Sequence, residues 1–204
     1  MRVKTEARRR AILEAAKHVF LERGFSGASM AEVAARTGGS KQTIYSYFPS
    51  KEELFVAMML EKGAVMIEPI FEQFENCADR ARALRDFAAQ LIRFLTDPEV
   101  LAFRRIIYAE GARSNLGKLY FENGPKPGWM RIAEDVRRAM DAGQMRRGDP
   151  WMAVQHFSAL CEAGPVQGLL EGSVEEVTDE ELVRATEAAV DVFLRAYEIT
   201  GAPQ

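Results

Sequence analysis

Apolar residues in this chain recur at intervals of three and four, and no alternating run rich in Val, Ile and Thr interrupts them. A period near 3.6 buries its apolar face only as a helix, so the spacing predicts an all-α chain. From Arg8 to Arg23, the residues Ile12, Leu13, Ala16, Val19 and Phe20 form one stripe. Gly24 follows where a residue able to take a positive φ would end that helix.

Side chains that satisfy first-turn N–H groups mark the other helix starts. Ser29 with Glu32 makes a capping box, predicting a short helix from Met30 until Thr37, Gly38 and Gly39 break it. Ser40 is placed to cap a third helix that carries Ile44 inward and stops before Pro49. Ser50 with Glu53 opens a long fourth helix bearing Leu54, Phe55, Met58, Lys62, Val65 and Met66, which Pro69 bends or ends. The next break is expected from Cys77 to Arg80. Asp97-Pro98 and Asp149-Pro150 each set a capping Asp before a proline at the first helical position, predicting helices near 98–112 and 150–171. Thr178 with Glu181 caps a last helix reaching about Ile199, and Gly124-Pro125-Lys126-Pro127-Gly128 reads as a loop.

The net charge of −3 conceals a split. Residues 1–51 hold ten Lys or Arg against four Glu, a balance of +6 that leaves −9 for the rest. A basic end on an acidic chain suits contact with a polyanion, or is a solvated charged face. The chain has 204 residues, 48% of them apolar, enough for a packed core, yet no apolar run long enough to cross a membrane. MRVKTEARRR leads into a charged amphipathic stretch instead of a signal core, so a cytoplasmic protein with no membrane partner is expected. Cys77 and Cys161 are the only cysteines, and His18 and His156 the only histidines; their spacing suits no metal site, and no cofactor is expected. A G-x-S-x-G elbow and a phosphate-cradling Gly loop are also missing, so an enzyme is not indicated.

Two short helices joined by Thr37-Gly38-Gly39 and packed on a preceding helix outline a helix-turn-helix, whose second helix enters the DNA major groove. Lys41 and Lys51 fall at the first positions of the third and fourth helices, where the macrodipole favours acids. A phosphate would resolve both conflicts; otherwise each lysine is a solvated surface residue. Between them, Gln42 can bond adenine bidentately, and Thr43 can donate to a base edge or offer its methyl to thymine. Tyr45 and Tyr47 carry hydroxyls suited to phosphate oxygens, although Tyr47 equally reads as half-buried packing.

Gly24-Phe25, Ser29-Met30-Ala31-Glu32-Val33-Ala34 and the run SKQTIYSYFPSKEELF from Ser40 to Phe55 resemble the N-terminal signature of TetR-type regulators, over roughly residues 8–60. FRRIIYAEGARSNLGKLYFENGP from Phe103, followed by GQMRRGDP, is similar to the C-terminal half of the AefR-like subgroup. The resemblance implies an all-helical homodimer: a three-helix DNA-binding head at 1–50, a linking helix at 51–76, and an effector-binding and dimerisation body at 77–204. It implies DNA contact at Ser29, Ser40, Lys41, Thr43, Tyr45, Tyr47 and Lys51, with Gln42 at a variable position that suits operator choice. The expected function is a ligand-responsive regulator of double-stranded, palindromic operator DNA. Repressor is the family default, and activator or dual action stays open.

The resemblance also requires an effector pocket in the body for a largely apolar small molecule. Most of the body's aromatic residues serve the core; Phe103, Tyr108 and Trp129, with His156 and Cys161 as polar points, are the candidates for its lining. His156 reads equally as an ordinary hydrogen-bonded histidine. The last two long helices can pair across two subunits as a four-helix bundle through Phe157, Leu160, Val190, Phe193 and Leu194, unless part of that surface serves the subunit's own core. A helix-turn-helix that docks on another protein is the remaining alternative, and the salt dependence of DNA binding separates the two.

Overall fold

In a computed structural model of the chain, which describes residues 5–76, 79–111 and 113–197, apolar periodicity becomes twelve helices among the described residues, with no β-strand. In chain order they are α1 (Glu6–Gly27), α2 (Met30–Arg36), α3 (Lys41–Tyr47), α4 (Lys51–Met66), α5 (Glu68–Asn76) and α6 (Arg80–Leu95). There follow α7 (Pro98–Glu110), α8 (Leu116–Asn123), α9 (Pro125–Asp141), α10 (Pro150–Glu162), α11 (Pro165–Glu171) and α12 (Asp179–Tyr197). The expected caps are made: Ser29 Oγ accepts from Glu32 N–H at 3.2 Å, Ser40 Oγ from Thr43 N–H at 3.1 Å, and Ser50 Oγ from Glu53 N–H at 3.1 Å. At α12 the box is reciprocal, with Glu181 N–H donating to Thr178 Oγ1 at 3.3 Å and Thr178 N–H to Glu181 Oε2 at 2.8 Å.

The described residues divide into two compact units, one from 1–64 with 102–124, the other from 65–101 with 125–204. The division falls inside α4 and α7. Residues 102–124, which the sequence reading grouped with the body, pack in the same unit as the first three helices because Phe103, Ile107 and Leu116 complete that unit's apolar core. Its centre is aromatic: Phe55 meets Phe20 edge-on at 5.0 Å, Phe25 at 5.7 Å and Phe103 at 5.7 Å.

Gly24 makes that cluster possible. Its φ of 67° and ψ of 178° break α1, so that Phe25 turns back and stacks on Phe20 at 5.9 Å. Only glycine adopts that conformation without strain. A Cβ at Gly24 would meet nothing within 4 Å, so the cost of a side chain is all backbone. Gly24→Ala is expected to lower unfolding stability by about 1–3 kcal/mol, read from the urea midpoint; an unchanged midpoint would show that the kink relaxes freely.

In the second unit α6 packs on α12 and α10, α5 on α6, and α9 on α10. A continuous series of rings runs through it: Phe74 to Phe87 at 5.5 Å, Phe87 to Trp129 at 5.8 Å, Phe87 to Phe157 at 6.1 Å, Phe157 to Phe193 at 4.9 Å, and Phe193 to Tyr197 at 4.9 Å. Gly128 lies against the Phe71 ring so closely that a Cβ there would collide with it.

Three expectations need correction. The 124–128 loop is helical: α9 starts at Pro125, because prolines in a first turn lack only N–H groups that have no helical partner. The 150–171 helix is two, since Pro165 offers no N–H and clashes with a helical preceding turn; Gly164, at φ 74°, makes the break. The stripe of α4 ends early, with Val65 75% exposed and Met66 exposed as well. Of the two outcomes expected at Pro69 the helix ends: α4 stops at Met66, because Pro69 offers no N–H to Val65 O, and Pro69 sits in the first turn of α5. The break expected from Cys77 to Arg80 lies between α5 and α6, with Asp79 as the cap of α6, while Cys77 itself and Ile199 lie outside the described residues.

Candidate nucleic-acid interface

Helix α3 turns one face inward and one outward. Ile44 is fully buried and Phe48, just past the helix end, nearly so, while Ser40, Lys41, Gln42 and Tyr45 are exposed and Thr43 and Tyr47 half-buried. The sequence places these types four apart, so a single apolar anchor leaves the polar positions at solvent. Ser40 Oγ and Thr43 Oγ1 lie 2.9 Å apart, which orders both hydroxyls at the start of α3. Lys41 Nζ stands 5.7 Å from the Tyr45 ring centre, and no carboxylate among the described residues pairs with it. Ser29 is exposed at the start of α2, where its Oγ serves as cap.

Lys51 behaves differently from the expectation of a phosphate ligand. Its Nζ donates to Phe25 O at 2.7 Å and Ala28 O at 3.2 Å and lies 4.4 Å from the Phe25 ring centre. The conflict of a cation at a helix start is thus met inside the protein, by carbonyls that the kink at Gly24 leaves without helical partners. Two of its three N–H groups are spent there, which leaves at most one for DNA.

Two residues that the sequence reading passed over brace the reader. Arg8 donates from Nη1 to Thr37 O at 2.9 Å, and its guanidinium occupies the space that a Cβ on Gly39 would need. Thr5 accepts through Oγ1 from Arg8 N–H at 3.3 Å as the cap of α1, while its own N–H donates to the Tyr47 hydroxyl at 3.0 Å. A capping Thr three residues before an Arg was the available signal. From α2, Arg36 pairs with Glu22 of α1 through Nη1 to Oε1 at 3.0 Å, and this bond holds the Glu22 carboxyl below the usual carboxylate range. Whatever that pair contributes is present at neutral pH and lost as pH falls through the lowered value.

The five effector candidates are not brought together. Phe103 and Tyr108 belong to the first unit, the former buried against Phe55, the latter 63% exposed and accepting from Arg104 Nη2 at 3.3 Å. Trp129, His156 and Cys161 belong to the second. Trp129 is buried between Phe71 and Phe87. His156 Nδ1 lies 2.5 Å from the Tyr197 hydroxyl, the ordinary hydrogen-bonded alternative. Cys161 is fully buried, and desolvation, with the Glu162 charge adding to it, pushes its thiol up to about 12. A groove of about 650 Å³ along α11 and α12, with Gln167, Val174, Val177 and Arg184 in its walls, includes none of the five.

The dimer candidates also divide. Phe157, Val190 and Phe193 are each at most 2% exposed inside the second unit's core, so they cannot meet a partner subunit without unpacking it. Leu160 and Leu194 are half-buried, while Met152, Val183 and Val192 are exposed on α10 and α12. No helix among the described residues is long and apolar enough to cross a membrane.

Comparison with known proteins agrees with this arrangement. A family model described as bacterial regulatory proteins, tetR family, matches residues 12–58, and one described as AefR-like transcriptional repressor, C-terminal domain, matches residues 82–199. The chain is 33% identical over 84 residues to the HTH-type transcriptional activator FasR of Mycolicibacterium smegmatis, a stretch that spans 41% of this chain but only 38% of FasR. It superposes on a TetR-family transcriptional regulator from Mesorhizobium loti with a TM-score of 0.80 and 29% identity, over 96% of this chain and 100% of that one. The flavonoid-responsive regulator FrrA gives a TM-score of 0.74 and 30% identity, over 97% and 100% of the two chains. The chain therefore belongs to the TetR family of bacterial regulatory proteins, and is a helix-turn-helix transcription regulator and not an enzyme.

Proposed function

We propose that the protein is a homodimeric repressor that lays α3 in the major groove of a palindromic operator and is released by a small, largely apolar effector. One observation carries the DNA-reading part: α3 buries Ile44, with Tyr47 packed at its end, and presents Lys41, Gln42 and Tyr45 to solvent on its other sides. In this reading residues 1–50 read DNA, 51–76 link, and 77–204 sense the effector and dimerise. Lys41 and the hydroxyls of Ser29, Ser40, Tyr45 and Tyr47 hold phosphates, Gln42 and Thr43 meet base edges, and Lys51 chiefly positions the chain at the kink. Leu160 of α10 and Leu194 of α12, both half-buried, with the exposed Met152 and with Val183 on the same face of α12 as Leu194, are the residues assigned to the second subunit. Two recognition helices about 34–36 Å apart would meet successive major grooves, and an effector that selects another spacing weakens binding.

The AefR-like description of the body supports repression. FrrA, named as flavonoid-responsive, supports an apolar, ring-bearing effector. Among the candidates, Trp129, His156 and Cys161 share the ring-lined unit and are the residues assigned to effector contact there; Phe103 stays with the first unit's core. Activation is the second reading, favoured by the match to FasR; transcription in vitro from a promoter bearing the operator separates the two by sign.

Fluorescence anisotropy on labelled DNA from upstream of the protein's own gene, over a salt series, tests the reader. Lys41→Ala is expected to weaken binding to all sequences and to reduce the slope of log affinity against log salt by about one per half-site. Gln42→Ala is expected to shift preference among operator variants by about 1–3 kcal/mol at one base pair. An unaltered slope in Lys41→Ala would remove the phosphate role of Lys41.

A further inference from the structure

We infer that Arg8 and Gly39 form a clasp that sets the register of α3 on DNA, with Arg8 a positioning residue and not a phosphate ligand. The inference rests on the reading of α3 as the helix that meets base edges, and it adds what fixes where that helix begins. Thr37 ends α2, at φ −90° and ψ 0°, and only Gly38 and Gly39 separate it from Ser40, the cap of α3. Two glycines in succession leave a connection with the widest choice of backbone angles, so its own chain alone does not hold the start of α3. The Thr37 carbonyl is one of the last of α2, where no helical N–H follows to meet it. Arg8 Nη1, from the first turn of α1, donates to it at 2.9 Å.

Gly39 shows that the guanidinium has a built place. Gly38 takes a φ of 61°, which only glycine adopts without strain, whereas Gly39 needs no left-handed backbone. What a side chain there would meet is Arg8: a Cβ on Gly39 would collide with Nη2 and stand 3.7 Å from Cζ, while Thr37 Oγ1 would lie at an ordinary 3.5 Å. Glycine at 39 therefore answers to a side chain of another helix, which is why no local pattern announces it. Arg8 is itself anchored, since its N–H donates to Thr5 Oγ1 at 3.3 Å, and Ile12 and Leu13 of the same helix are buried in the core that also holds Val33 and Ile44. A helix start fixed before DNA arrives loses less freedom on binding, and a bidentate contact such as Gln42 to adenine discriminates only in one register.

The test is a double-mutant cycle with the full chain, below the thermal midpoint of each variant, read as affinity for operator and for random DNA over a salt series. The operator is the sequence that the wild-type chain selects from a random library. Gly39→Ala keeps every charge and displaces the guanidinium from Thr37 O, so it isolates the clasp. Gly39→Ala and Arg8→Ala are each expected to weaken operator binding about two- to tenfold per half-site, and the double variant no more than either alone. With the guanidinium gone a Cβ at position 39 has room, so Gly39→Ala should change nothing in the Arg8→Ala background. Random DNA is held by phosphate charge, so its affinity and the salt slope should keep their wild-type values in Gly39→Ala. If Arg8→Ala does not fold, Arg8→Met keeps the alkyl packing and removes the guanidinium. Additive losses in the double variant, no loss in Gly39→Ala, or losses that only track the folded fraction overturn the positioning role. Equal weakening of operator and random DNA in Arg8→Ala, with the slope reduced by about one per half-site, makes Arg8 a phosphate ligand instead and overturns it too. A wild-type chain that selects no sequence overturns the reading of α3, and the role of the clasp with it.

Discussion

Phe55→Ala is expected to lower unfolding stability by about 3–5 kcal/mol, a large part of what a domain of this size has to spare. Phe55 is fully buried, and three rings meet it edge-on, Phe20 at 5.0 Å, Phe25 at 5.7 Å and Phe103 at 5.7 Å. Truncation removes the transfer term of one ring and the contacts of three others, and those three are fixed to two helices, α1 and α7, which cannot both collapse inward. DNA binding should fall with the folded fraction and recover on cooling. Denaturant unfolding by circular dichroism checks it, and a loss under about 1 kcal/mol would mean that the site closes over the cavity.

Phe193→Ala is expected to cost a similar 3–5 kcal/mol, and the place where the loss appears decides between two roles. As an interface anchor, Phe193 would on truncation leave folded monomers with an unchanged thermal midpoint. As a core residue, 2% exposed and 4.9 Å from both Phe157 and Tyr197, it should lower the midpoint while the folded variant associates like the wild type. The burial requires the second outcome. Sedimentation equilibrium below the midpoint, beside a melting curve, reads both quantities, and a stable folded monomer would return Phe193 to the interface.

The difference between these two residues shows how far a pattern can be read. Spacing placed Phe55 and Phe193 alike on the apolar stripe of a helix, and both are buried. It does not say what they face, because a helix stripe that meets its own subunit and one that meets a partner have the same period. The caps were legible for the opposite reason: Ser29 with Glu32, Ser40 with Thr43 and Thr178 with Glu181 bond within three or four residues, so their chemistry is local. Pro125 and Pro127 misled because two prolines between glycines suit a loop and a helix's first turn equally well, and the choice lies with distant packing, in which α9 buries Trp129, Ile132, Val136 and Met140. Lys51 misled in the same way: a cation at a helix start was read as seeking an anion from outside, when carbonyls 26 and 23 residues earlier accept its N–H groups.

By itself the sequence determined the helical class, the positive φ at Gly24, the order α1 to α3 and the exposed polar face of α3, since each follows from contacts a few residues apart or from one residue's own φ. Tertiary structure alone decided that Phe103 and Leu116 join the first core, that Phe157, Val190 and Phe193 serve their own subunit, and that Thr5 and Arg8 brace the reader. Those contacts join residues far apart in the chain, and their energy depends on a packing geometry that no short window of sequence contains.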